Sequence, residues 1–429
     1  MSELAFAAVA DDDTGATDLA GMLAARGLRT VQVIGVPESG AFARWTGEAD
    51  AVVIAAGTRA ASPAEARDRT RAALALLSTR GAARYAIKYC STFDSTTEGN
   101  IGPSIDAAFD QLGESFTVAL PALPVNGRTT YMGYHFVHGR LLSDSPMRHH
   151  PLTPMTNSDL VSHLQAQTSR RVGLLAHPCL RQGPDAARAR LDQLRAEGVA
   201  IAILDCLDDA DLTVLGTATG HLRLVTGGSA WGILAAPGQD RTAVPPLAPG
   251  ARPALLVAGS CSEATQSQNG WWEAQGLPIV TIEPRLLLDP GFPREQVVRI
   301  LDAEFERGRP VLLRTASSRK EVEATQSWAA GQGLSPTEAG LAIARAVAAL
   351  TGELVRQTQP GALVVAGGET STAVCRALGM GALRIGDNIE PGVPLCRSLG
   401  AVEVPVVLKS GNFGSEDFYG RALAAAGYH

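Results

Sequence analysis

Three short stretches of this 429-residue chain gather groups able to handle a small polyhydroxy acid. The first is Asp11-Asp12-Asp13-Thr14-Gly15, three adjacent carboxylates ahead of the helical run ATDLAGMLAARG. One Asp or Thr is enough to accept the free amide hydrogens of a helix start. The surplus acids are therefore available as acceptors for sugar hydroxyls, as a base, or as metal ligands. The second stretch runs from Lys88 to Asn100, KYCSTFDSTTEGN, and joins a cation, several hydroxyls and Asp94 ahead of the helix IGPSIDAAFDQL. Lys88 and the free amides of that helix start could each hold a carboxylate or phosphate oxygen. The third is Pro121 to Arg128, followed by Met147-Arg148-His149-His150-Pro151. Arg128 and Arg148 can present paired donors to a carboxylate. The two adjacent histidines diverge and have no third ligand spaced to help, so no metal ligand is assigned.

Three later turns are small instead of charged: Gly259-Ser260-Cys261-Ser262, Gly367-Gly368-Glu369-Thr370-Ser371 and Lys409-Ser410-Gly411-Asn412. Glycine there lets backbone amides come close to a phosphate chain. No Walker loop, placed GxGxxG or protein-kinase catalytic loop is found, so a nucleotide site here belongs to a less common class.

Every one of these stretches follows a short apolar, β-branched run, and ligands of open α/β sheets bind beyond the carboxyl ends of strands. LAFAAVA, TVQVIGV, AVVIAAG, YAIKY, FTVALPA, VGLLA and AIAILD read as seven strands of an N-terminal sheet. ALLVAGS, LPIVTIEP, PVLLRTA, ALVVAGG and VPVVLKS read as five more. Helical stretches between them give the βαβ pattern of mostly parallel sheets. GRTTYMGYHFVHGRLL reads as a hairpin, and Ser335-Pro336 with Glu338 as a capped helix start. The Pro- and Gly-rich segment 236–253 is the expected boundary between domains 1–235 and 254–429. The fold class is thus α/β, two domains with a mostly parallel sheet flanked by helices in each and an active-site cleft between them.

The formal net charge of -6 and the scattered arginines argue against nucleic acid as a partner. No apolar run has the ~20 residues a bilayer span needs. The first residues lack the pattern of a secretion signal, so a cytoplasmic protein is expected, and the apolar composition permits a homodimer. The six cysteines form no CxxC pair and read as buried thiols.

Taken together, ADDDTGATDLA, KYCSTFDSTTEGNIGP, PALPVNGRTTYMGY, SPMRHHPLTPMT, VTGGSAWG, VAGSCSEATQSQ, VAGGETSTAV and LKSGNFGSEDF resemble the four-carbon acid-sugar kinase family over nearly the whole chain. The second and fourth motifs look like its 3-oxo-tetronate 4-kinase branch; threonate and erythronate kinases carry a different second motif. Asp13 stands where this branch usually has an aromatic residue. The resemblance implies an N-terminal domain for the acid sugar and a C-terminal domain for ATP, with Mg²⁺ accompanying the nucleotide. It puts nucleotide contacts on Ser260, Gly368 and Gly411, and the turns around them add Gly367, Glu369, Thr370 and Asn412. Asp12 or Asp94 is then the base or hydroxyl-orienting group. Lys88, Arg128 or Arg148 binds the substrate carboxylate, with Asp11, Ser91 and Asn126 sorting hydroxyls. Two other classes remain open: a threonate or erythronate kinase, and an isomerase, decarboxylase or binding protein for the same acids.

Overall fold

A computed structural model describes residues 3–149, 153–238, 252–289, 291–315 and 319–428. The chain forms two compact units, residues 1–241 and 242–429. Most of the proline-rich segment, residues 239–251, lies outside the described residues, as does His150.

The strands of the first unit are β1 (Phe6–Ala10), β2 (Thr30–Ile34), β3 (Ala51–Ala55), β4 (Tyr85–Lys88), β5 (Thr117–Leu120), β6 (Arg128–Tyr131), β7 (Tyr134–Val137), β8 (Arg140–Leu141), β9 (Val172–Leu175), β10 (Ile201–Leu204) and β11 (Leu224–Gly227). Eight of them form a parallel sheet in the order β2-β3-β1-β4-β11-β5-β10-β9. Helices on both faces leave the central strands buried throughout, so they read as unbroken apolar runs without alternation. The strands β6, β7 and β8 make a small antiparallel sheet, one strand more than the expected hairpin. Its tip is tied down by buried Asp205, whose carboxylate accepts the backbone N–H groups of Met132, Gly133 and His177 at 2.7 to 2.9 Å.

In the second unit the strands are β12 (Ala254–Ala258), β13 (Ile279–Ile282), β14 (Val311–Thr315), β15 (Ala362–Ala366), β16 (Met380–Glu390), β17 (Val393–Gly400) and β18 (Pro405–Lys409). Their order is β13-β14-β12-β15-β18-β17-β16, with β17 antiparallel to both β18 and β16 and the other pairs parallel. Trp272, Phe418 and Tyr419 pack with the inward residues of β12 and β15 as the core on one face. Ser335 caps the helix Pro336–Thr358 in a reciprocal pair with Glu338, as the sequence predicts.

Two sequence expectations are corrected. The seven strands expected in the first sheet are eight, because LVTG, only four residues long and ending in Gly227, is the central strand β11. The five expected in the second unit are joined by β16 and β17, whose mixed polar pattern lacks the continuous apolar run that marks the buried strands.

Candidate active sites in the two units

In the first sheet the chain runs from β1 out to β2 and back to β3 on one side, then crosses β1 to reach β4 on the other, so β1 and β4 flank the topological switch point. The register aligns their ends in one row, Ala55, Ala10, Lys88, Gly227 and Leu120. Whatever follows those five residues is therefore gathered at one edge of the sheet.

After β1, Asp12 is the N-cap of the helix Asp13–Ala25. One oxygen accepts Gly15 N–H at 2.8 Å and the other accepts the Thr14 hydroxyl at 3.0 Å. The surplus charge has a partner that sequence reading passed over: Arg59, in the turn after β3. Its guanidinium takes Asp11 through two nitrogens, at 2.8 and 3.1 Å, and Asp12 through a third at 2.8 Å. Lys88 is only 4% exposed, and its ammonium lies over Gly15, where any Cβ would collide with Nζ. Burial pushes the Asp12 carboxyl up, but Arg59 and Lys88 outweigh it and the group ends below the ordinary carboxylate range. Asp12 is thus a firmly ionised anchor. Asp13, buried as the first residue of the helix, lends its carbonyl to Thr17 and Gln32.

The second turn is held from several sides. Asn100 donates its side-chain amide to the carbonyls of Thr58, Arg59 and Ala61, fastening the Arg59 loop to this turn. His135 Nε2 bonds Ser91 O and His163 Nε2 bonds Ser95 O, both at 2.7 Å. Burial lowers the pKa of both rings, that of His135 to about 4, so His135 donates as a neutral imidazole. Phe93 takes a left-handed φ of 55°, kept by edge packing of its ring on Tyr89 and His163. Asp94, 7% exposed, accepts the Thr92 hydroxyl. The Cys90 thiol is pushed up to about 12, chiefly by burial, and is no nucleophile. At the start of the helix Ile101–Leu112 one amide is already occupied, because Gly102 N–H donates to Gln167 Oε1 at 3.0 Å. This leaves Lys88 as the candidate anion ligand of this turn.

After β11, Ser229 donates to Asp18 Oδ2, while Asp18 Oδ1 is buried with no hydrogen-bond partner among the described residues. Burial raises the Asp18 carboxyl, against the pull of Lys88 and Ser229. Gly228 packs against Pro121 and Ser91, bringing the third turn beside the second. There Arg128 bonds Asn126 O and His138 Nε2, with its Nε buried and without a partner among the described residues, and its charge lowers the His135 pKa while Asp94 raises it. Arg148 lies apart: it is exposed and donates to Ser143 O at 3.1 Å within its own loop.

The second unit repeats the arrangement with different chemistry. Here β12 and β15 flank the switch point, and Ala258, Ala366 and Lys409 stand in one register row. The turns beyond them touch. A Cβ on Gly259 would overlap Thr370 Oγ1, one on Gly411 would overlap Ser260 Oγ, and one on Gly367 would crowd Ser260 N at 3.3 Å. The helix Gly368–Ala377 begins at Gly367 without a side-chain cap, which leaves its first amides for an incoming anion. Glu369 and Asn412 are exposed. A phosphate chain fits this cradle of glycines and hydroxyls. Among the described residues no group of three or more His, Cys, Asp or Glu is arranged to hold a metal, and no helix is long and apolar enough to cross a membrane.

Known proteins divide in the same way. A family model described as a sugar-binding N-terminal domain matches residues 6–233, and one described as a nucleotide-binding C-terminal domain matches residues 255–419. The chain belongs to the four-carbon acid-sugar kinase family. Family members named 3-oxo-tetronate kinase include one from Cupriavidus necator, 43% identical over 98% of this chain and 97% of that one. Another, from Pseudomonas savastanoi, is 44% identical over 97% and 96%. Among solved structures, a Salmonella typhimurium protein is similar with a TM-score of 0.85 and 39% identity, covering 97% of this chain and 98% of its own. A Haemophilus influenzae protein gives 0.81 and 34%, covering 97% and 99%. The four-carbon acid-sugar kinase family is thus shared at the level of sequence and of fold.

Proposed function

We propose that the protein is a 3-oxo-tetronate 4-kinase, moving the γ-phosphoryl group of ATP to the C4 hydroxyl of 3-oxo-tetronate to give the 4-phosphate and ADP. One observation carries the reading: buried Lys88 acts on Asp12 and Asp18, beside the pair Asp11 and Asp12 bridged by Arg59, at a switch point, in a chain that relatives named 3-oxo-tetronate kinase match almost end to end.

In this reading residues 1–235 take the acid sugar and residues 254–429 take ATP. Lys88 holds the substrate carboxylate, with Arg128 as the further cation for it; Arg148, which lies apart, is left out of this role. Asp11, Ser91, Asn126 and the open oxygen of Asp18 sort the hydroxyls. Both Asp12 oxygens are committed to donors, so Asp94 is the better base for the C4 proton and Asp12 an orienting charge. Ser260, Gly367, Gly368, Glu369, Thr370, Gly411 and Asn412 hold the nucleotide. Mg²⁺ bound with ATP would neutralise charge on the transferring group. Positioning and charge neutralisation supply most of the rate of such a transfer. An ATP-fed reaction belongs in the cytoplasm.

The test is ADP release with Mg²⁺ and ATP across 3-oxo-tetronate, threonate and erythronate, followed by NMR of the product. The expected result is the highest kcat/KM with 3-oxo-tetronate and phosphorus coupled to the C4 protons. Preference for threonate or erythronate would move the substrate within the family. Conversion of an acid without ADP would overturn the kinase reading.

A further inference from the structure

Lys409, the last residue of β18, is 0% exposed, and among the described residues its ammonium donates to neutral acceptors only: Thr265 Oγ1 at 3.2 Å, Ser410 O at 3.1 Å and Gly411 O at 3.3 Å. A buried cation without a carboxylate against it is costly unless something else gains from it. The gain lies in what those carbonyls do to the next peptide bonds. In a trans peptide the C=O and the following N–H point in opposite directions. Drawing Ser410 O and Gly411 O inward therefore turns the N–H groups of Gly411 and Asn412 outward, as two successive donors. The anchoring is reinforced, since Gly411 O also accepts Ser262 Oγ at 2.5 Å and Thr265 Oγ1 at 2.9 Å. Consecutive outward amides form an anion nest, and here a full positive charge lies directly beneath it.

We infer that Lys409 is a positioning residue for the nucleotide phosphates, shaping the Gly411–Asn412 amides into an anion nest and adding its charge to it. The inference rests on the reading of the second unit as the ATP-binding one. Two neighbours bound the electrostatics. Across the sheet Lys409 pairs with Ala366, and the helix Glu263–Ala274 meets it with neutral Thr265. Glu390 of β16 is the charged group that acts on it, and that carboxylate is already taken by Ser415 and Arg421. Burial lowers the Lys409 ammonium to about 8, with Glu390 pulling the other way. Protonation and anion binding then favour one another, so ATP binding draws a proton onto Lys409 when the pH is near 8.

Titration calorimetry of the full chain with Mg²⁺ and ATP, in buffers of different ionisation enthalpy at pH 8, measures affinity and proton uptake together. Wild type is expected to take up a fraction of a proton, up to about one half, and to bind more weakly as pH rises from 7 to 9. Lys409→Met is expected to weaken ATP roughly tenfold to a hundredfold, leave the KM for the acid unchanged and abolish the uptake. Lys409→Arg, charged throughout, should also lose the uptake. Tight binding of ATP by wild type with neither uptake nor pH dependence overturns the inference even if Lys409→Met does not fold, and leaves the ATP reading standing. Absence of ATP binding by wild type overturns that reading itself.

Discussion

At and just beyond the ends of β1 and β4 in the first unit stand Asp11, Asp12, Lys88 and Asp94; after β12 and β15 of the second stand Gly259, Ser260, Gly367 and Thr370. Both sets occupy the switch point of a parallel sheet, and only the chemistry differs. A small acid presents a few groups in a fixed stereochemistry, and side chains with defined charge can read them one at a time. Such charges must be kept in place without their ligand, which is the work of Arg59, Asn100, His135 and His163. A phosphate chain presents many equivalent oxygens, so backbone amides serve, provided no Cβ keeps them at a distance. The glycines and hydroxyls of the second unit meet that need, and its charge is hidden below the turn in Lys409.

This contrast yields separable effects. Asp94→Ala should reduce kcat by about 10²- to 10⁴-fold, the range for losing a general base. Its Kd for ATP should be unaltered, and a matching loss of ATP affinity would break the division of labour. Arg59→Ala leaves Asp11 and Asp12 close together without their shared counter-charge, and should cost about 3 kcal/mol in urea unfolding. Double substitution with Asp11→Asn and Asp12→Asn should recover part of that loss. A third variant, Gly411→Ala, puts a methyl against Ser260 Oγ and should raise KM for ATP roughly tenfold with KM for the acid unmoved. The last effect concerns pH. His135 has a folded pKa near 4, below the ordinary 6.5, so its contribution is complete above 6.5. As pH falls from 6.5 toward 4 the unfolded chain takes the proton first, and stability should decline by at most about 1.4 kcal/mol per pH unit. His135→Gln should flatten that part of the curve.

Much of this contrast can be read in the chain itself. The buried strands are continuous apolar runs, and each of the six chemistry-bearing turns follows one of them. Arg59 was harder to see because it is one arginine among many, and its importance comes from the β1–β3 pairing that sets its turn beside Asp11. Its position four residues beyond AVVIA was the available signal. Asp18 and Ser229 meet across 211 positions of sequence, a contact no local pattern announces. Lys409 sits within a motif that was singled out, yet its direction, inward beneath the turn, follows from the burial of β18.

The three carbonyls that accept the Asn100 amide make the loop after β3 and the loop after β4 a single piece of scaffolding. For redesign, this makes 57–61 and 88–100 one transplantable cassette. Replacing residues 88–100 alone would break the match between position 100 and the carbonyls of Thr58, Arg59 and Ala61, and Arg59 would no longer be set for its two acids. Exchanged together, the loops should carry the choice of acid from one family member to another.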